Sequence, residues 1–223
     1  SHLEGFYYKP RIDKELLKEH HEGLIVLSGC LTGEIPRLIL TNRFKEAEEK
    51  LKEYLEIFGE DFYLEINYHP NIEESKIIKK GLIELSKKYG VPAVATYDVH
   101  YLKPEDAEAH DILLAVQTGN KVFEEDRLTL RADDFSLCPQ ERMEELFFDF
   151  PEAIENTQKI VEKCNVELEL EKTILPYFEV PLGETPESYL EKLCQEGLLK
   201  RYGEKVKPEV LERLKYELSI IEK

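Results

Sequence analysis

The chain has 223 residues and a formal net charge of −17, with 42% hydrophobic and 35% charged residues. That length supports a real core in one large or two small domains, and so acidic a balance works against a nonspecific grip on phosphate backbones. The longest apolar runs, such as "GLIVL" and "DILLAV", fall far short of the ~18 residues of a membrane helix, so no membrane partner is expected.

The first two-thirds alternates short apolar runs with amphipathic stretches. "GLIVLSG" (Gly23 to Gly29) reads as a buried strand, and "EIPRLILT" as a short helix. Phe44, Ala47, Leu51, Tyr54, Leu55 and Phe58 recur at steps of three and four, a helical stripe ending at Gly59. "DFYLEIN" (Asp61 to Asn67) is the next predicted strand, and Ile78, Leu82 and Leu85 mark a helix closed by Gly90. "VPAVATYDV" predicts a third strand, and "PEDAEAHDILLAVQTG" a helix with proline in its first turn and Gly119 at its end. This order implies α/β architecture: parallel strands with helices outside, as a barrel or an open sheet.

After Gly119 the pattern changes. "VFEEDRLTLRADDFSLCPQ" reads as irregular or edge structure, and two helices follow, Pro139 to Phe150 and Pro151 to Asn165. "VELELEKTILPYFEVPLGETP" is an extended connector, and a domain boundary is placed in it, between 174 and 175. Thr185 then reads as an N-cap with Pro186 in the first turn of a helix running to about Gly203. A last helix, Pro208 to Lys223, carries Leu211, Leu214, Leu218 and Ile221 on one side.

Parallel α/β folds place their sites at the carboxyl ends of strands. Cys30 follows the first strand in "VLSGC", and Asp98 and His100 follow the third in "ATYDVHYL". Residues two apart in extended chain point the same way, so Asp98 and His100 can approach one ion. Carboxylate, imidazole and thiolate together suit zinc; the first two also suit manganese or iron. The pair reads equally as two polar residues at a loop mouth, and a cysteine after a strand as a small buried residue. His69, after the second strand, reads as a polar loop residue. Asp106 and His110 read as a surface helical pair, and His20 and His21 as the end of an exposed helix. Glu65 and Asn67 share a strand face. The acidic runs Glu46 to Glu49 and Glu105 to Asp111 read as solvated helix faces. There is no phosphate-cradling glycine loop, GxSxG or HExxH. Cys30, Cys138, Cys164 and Cys194 are scattered without a CxxC, which fits a reduced cytoplasm better than a disulfide framework.

"GFYYKPRID", "GLIVLSGCLTGEIPRL", "VATYDVHYLKPEDAEAHDILLAVQTG", "PEAIENTQKIVEKCNVELEL" and "LPYFEVPLGETPESYLEKLCQEGLLKRYG" resemble the bacterial replicative DNA polymerase III alpha subunits, the C-family polymerases. The resemblance runs over essentially the whole chain. It implies that residues 1–174 are the later part of a polymerase-and-histidinol-phosphatase (PHP) domain, a distorted (β/α)7 barrel of which the chain holds part. Residues 175–223 would then lead into the palm and thumb region. It further implies that Cys30, Asp98 and His100 are ligands of a zinc or manganese cluster. The early ligands, including an HxH, are expected upstream of Ser1, and the polymerase aspartates with their magnesium downstream of Lys223. The start "SHLEGF", without methionine, fits an excised piece. The family often has asparagine where this chain has Tyr97, whose side chain is expected to point away from Asp98 and His100.

Implied partners are DNA, deoxynucleotides and other replisome subunits. The implied activity is chromosomal DNA synthesis, with a PHP contribution that is either 3′-to-5′ exonuclease or a non-catalytic scaffold docking a separate proofreading subunit. A stand-alone PHP phosphoesterase is the remaining alternative, disfavoured by the connector and terminal helices. On its own the chain is expected to lack polymerase activity, to bind metal weakly at most, and to self-associate through open sheet edges.

Overall fold

A computed structural model describes residues 2–170, 173 and 176–222. The chain forms two compact units, Ser1–Val166 and Glu167–Lys223. The sequence boundary at 174/175 lies outside the described residues.

In the first unit a small antiparallel ribbon, β1 (Phe6–Tyr7) and β2 (Lys9–Pro10), precedes the helix α1 (Lys14–Glu19). Asp13 caps α1 by accepting from the Leu16 amide at 2.9 Å. Three parallel strands follow: β3 (Val26–Leu27), β4 (Phe62–Asn67) and β5 (Ala93–Thr96), in the order β3-β4-β5. Among the described residues this sheet does not close; it is part of an α/β fold rather than a complete barrel. β3 is shorter than "GLIVLSG" predicts, because only Val26 and Leu27 find ladder partners, Phe62 and Tyr63.

The helices between the strands are α2 (Glu34–Leu40), α3 (Phe44–Phe58) and α4 (Glu73–Tyr89). Strand periodicity sorts β4 cleanly. Phe62, Leu64 and Ile66 are fully buried toward these helices, while Glu65 and Asn67 lie on the opposite face. The register pairs Leu64 with Ala93 and Ile66 with Ala95, which puts both alanines in the same core. α3 buries Ala47, Leu51, Ile57 and Phe58, and α4 buries Ile78, Leu82 and Leu85. Glu73 and Glu74 in the first turn of α4 and Lys87 and Lys88 in its last complement the helix dipole. Lys14 on α1 bonds Glu53 on α3 at 2.5 Å, and Lys50 bonds it at 2.8 Å; the two ammonium groups hold the Glu53 carboxyl down at about 2.

α4 crosses α2 closely at Gly81. A Cβ there would lie 2.5 Å from Cγ2 of Ile39, so a residue that weakens a helix interior is retained for the approach it permits.

Beyond β5 come a 3-10 turn (Pro104–Asp106), α5 (Ala107–Thr118), α6 (Gln140–Leu146) and α7 (Glu152–Lys163). The expected solvated acidic face of α5 is corrected at Asp111, which is 2% exposed. Arg127 grips both its oxygens, at 2.7 and 2.5 Å, with Thr129 at 2.8 Å and Arg131 at 2.9 Å. Those hydrogen bonds, Arg127's first, hold its carboxyl well below the usual range despite burial. This carboxylate pins the irregular 127–131 stretch to α5.

α7 packs beside β5, and its buried Asn156 donates from Nδ2 to the Ala93 carbonyl at 2.7 Å. Beyond the end of β5 the chain returns at Ser136, which forms a parallel bridge with Tyr101. No strand among the described residues pairs with the outer edge of β3.

The second unit holds α8 (Pro186–Tyr202) and α9 (Pro208–Ile221). Thr185 caps α8 as the sequence predicts, and Ser188 completes a capping box with it. No helix of the described residues is long and apolar enough to cross a membrane.

Candidate functional site

The site is built at the carboxyl end of the sheet. β5 ends at Thr96, and the chain continues as Tyr97-Asp98-Val99-His100. Oδ2 of Asp98 and Nε2 of His100 lie 3.1 Å apart, with side chains 52% and 37% exposed. Both residues lie past the end of β5, and their side chains meet at ion-pair distance.

The surrounding segment sets this pair. The His100 amide donates to the Phe135 carbonyl at 2.8 Å, and the Tyr101 hydroxyl accepts from the Phe135 amide at 3.0 Å. Tyr97 donates its hydroxyl to the Asp134 carbonyl at 2.6 Å, directing that side chain into the 134–135 backbone. Burial pushes the Tyr97 phenol up from its ordinary value, with help from the Asp134 charge. The His110 ring stands 5.3 Å from that of His100, edge to face, while the Asp106 carboxylate accepts from the Lys103 amide at 3.0 Å. The expected Asp106–His110 pair is therefore replaced by two separate roles.

On the interior face, Thr96 donates to Glu65 Oε1 at 2.9 Å, and Asn67 reaches Thr96 Oγ1 at 3.5 Å. Glu65 and Asn67 do share a face, and Thr96 joins them. The expectation for His69 is corrected. It is 2% exposed, its ring stacks on Phe135 at 4.3 Å and tilts against Tyr97 at 4.7 Å, and neither ring nitrogen has a hydrogen-bond partner. Asp133, which sequence reasoning missed in the run "ADDF", accepts from the Asn71 amide at 2.9 Å and from Asn71 Nδ2 at 3.0 Å. It thereby clamps the turn that carries His69.

Cys30 sits on the exposed turn after β3. Ser28 extends the parallel pairing by donating its amide to the Tyr63 carbonyl at 2.9 Å, and its Oγ accepts from the Glu65 amide at 2.9 Å. The chain then turns at Gly29 (φ +82°). β4 separates β3, which precedes Cys30, from β5, which precedes Asp98. Among the described residues no group of three His, Cys, Asp or Glu side chains is placed to hold a metal ion.

The chemistry of the Asp98–His100 donors fits a divalent cation as two of its ligands. Their 3.1 Å separation is close to the ~3.4 Å between two donors that each lie about 2.1 Å from a tetrahedral ion. Among the described residues no third protein donor is brought to them.

Residues 1–69 match the family model of the PHP domain, a span that contains Cys30 and His69 and ends before Asp98 and His100. The chain is 44% identical over 223 residues to the DNA polymerase III subunit alpha of Borreliella burgdorferi, covering 99% of this chain and 19% of that protein. The corresponding protein of Treponema pallidum is 41% identical over 223 residues, again 99% of this chain and 19% of the relative. That of Thermus aquaticus is 42% identical over 215 residues, 92% of this chain and 17% of the relative. The chain thus carries PHP-domain sequence. It belongs with the bacterial DNA polymerase III alpha subunits and spans about a fifth of the length of the curated relatives it matches.

Proposed function

We propose that this chain serves a DNA-directed DNA polymerase of chromosomal replication as the later part of its PHP domain, with residues 175–223 leading toward the polymerase palm. In this reading Asp98, His100 and Cys30 contribute to a divalent-metal site for 3′-to-5′ phosphodiester hydrolysis. The observation that carries it is the convergence of Asp98 Oδ2 and His100 Nε2 at 3.1 Å at the strand terminus, in a chain related end to end to alpha subunits. Zinc or manganese, when bound, would supply an activated water at neutral pH; magnesium would serve the polymerase centre. The chain's own residues orient the pair: the Phe135 carbonyl holds the His100 amide, and Tyr97, anchored on the Asp134 carbonyl, fixes the backbone just before Asp98. DNA, deoxynucleotides and other replisome subunits are the partners of this reading.

A second reading is the scaffold alternative that the resemblance leaves open. It makes the domain a scaffold that steadies the polymerase and docks a separate proofreading subunit. Alanine at Asp98 and His100 in the full-length alpha subunit separates the two. The catalytic reading expects metal-dependent nuclease activity to fall at least a hundredfold with polymerisation spared. Unchanged nuclease activity, or none in the parent, supports the scaffold.

A further inference from the structure

The ribbon β1–β2 holds its rings in water. Phe6, Tyr7 and Tyr8 are consecutive and 54%, 67% and 83% exposed, so three large side chains forgo the burial a core would give them. Phe6 pairs with Pro10 and Tyr7 with Lys9, which leaves Tyr8 alone to make the turn. Its φ is +57°, a left-handed conformation that a bulky residue adopts only against strain and a glycine adopts freely. Its ring meets that of Tyr7 edge to face at 4.8 Å. A ring kept on a strained turn, mostly in solvent, points to a use outside the packing of this fold.

The charge beside these rings runs against that of the chain. Residues 5–12 hold Lys9 and Arg11 and no acidic side chain, while the whole chain carries −17. Arg11 is anchored to the ribbon backbone: its amide donates to the Gly5 carbonyl at 2.9 Å and its Nε to the Tyr7 carbonyl at 3.3 Å. Among the described residues no carboxylate pairs with Lys9 or Arg11. Open aromatic faces stack on bases and free cations hold phosphates, the two halves of a grip on an unpaired strand. A duplex does not fit it, because its base faces are already covered by their neighbours.

We propose that the Phe6–Arg11 ribbon is a contact for single-stranded nucleic acid. A base stacks on Tyr8 at the turn, with Tyr7 beside it, and Lys9 and Arg11 hold the flanking phosphates. The contact takes no metal and stands whether or not Asp98 and His100 hold one.

The test uses the full-length alpha subunit and a fluorescent oligodeoxythymidylate, with EDTA present to silence metal-dependent cleavage. Affinity is read by anisotropy over a salt series, and contact by ultraviolet cross-linking of an iodouridine-bearing oligonucleotide with peptide mapping. Tyr8→Gly keeps the turn, since glycine takes the positive φ without strain, and is expected to weaken binding about tenfold. Lys9→Gln is expected to reduce the slope of log affinity against log salt by about 0.7, the share of one phosphate on a single strand. In both variants the Arg11 amide should stay protected from hydrogen exchange, which shows the ribbon intact. Cross-links to residues 6–11 in the parent complete the expected result. Unchanged affinity and slope in the two variants, with cross-links only elsewhere, overturn the proposal and make the ribbon a contact inside the subunit.

Discussion

His69 and Asp111 show how a polar side chain is buried under opposite terms. Asp111 is surrounded by donors and stays charged. The His69 ring is stacked between Phe135 and Tyr97 with the Asp133 carboxylate 3.9 Å from Nδ1, and burial lowers its pKa against the pull of Asp133, Asp98 and Asp134. The ring is therefore neutral in the native state at neutral pH, while the unfolded chain takes up the proton near the ordinary value of about 6.5. The unfolded state binds more protons below that pH, so stability is complete above it and falls as the pH drops. The unfolding midpoint of the chain should decline more steeply between pH 7.5 and 5 than that of His69→Phe, as followed by circular dichroism. Equal slopes would show that other groups govern the decline. Neither burial was legible in the sequence. His69 owes its burial to Phe135 and Tyr97, far away along the chain, and Asp111 sits in an acidic run whose periodicity gives no hint of Arg127.

At the scale of elements, the helices were the most legible part. A stripe of apolar side chains at steps of three and four survives translation into structure because helical hydrogen bonds are local, and Gly59 and Gly90 end α3 and α4 where the sequence places their ends. Strand length was less legible. β4 is paired on both sides and comes out nearly as predicted. β3 keeps two residues because a ladder needs a partner that no local pattern reveals. Contact between helices was invisible as well: Gly81 reads as a flaw in α4 until Ile39 is found against it. Gly81→Ala gains up to about 1 kcal/mol of helix propensity but forces a methyl into Ile39, an overpacking of about 1–3 kcal/mol. A net loss of up to roughly 2 kcal/mol is expected, read as a lower urea midpoint with unchanged slope. A stabilised variant would mean that α2 yields easily.

At the scale of the whole molecule, the described residues bring Asp98 and His100 together and place no third donor beside them. The Asp-x-His spacing was legible because it depends on two residues of one extended segment. Its relation to Cys30 was not, since the two follow different strands, β5 and β3, with β4 between them. The same sheet governs association. The chain at high concentration is expected to self-associate through the unpaired edge of β3. Light scattering giving a monomer at every concentration would count against it.

The Asn156 amide bears on how far such association can spread. It occupies the Ala93 carbonyl of β5, so one backbone acceptor on that strand is already satisfied within the fold, while no strand among the described residues pairs with the outer edge of β3. Copies that meet through β3 alone satisfy each other about a twofold axis. Asn156→Ala is expected to free the Ala93 acceptor for a second contact, read by light scattering as species larger than a dimer.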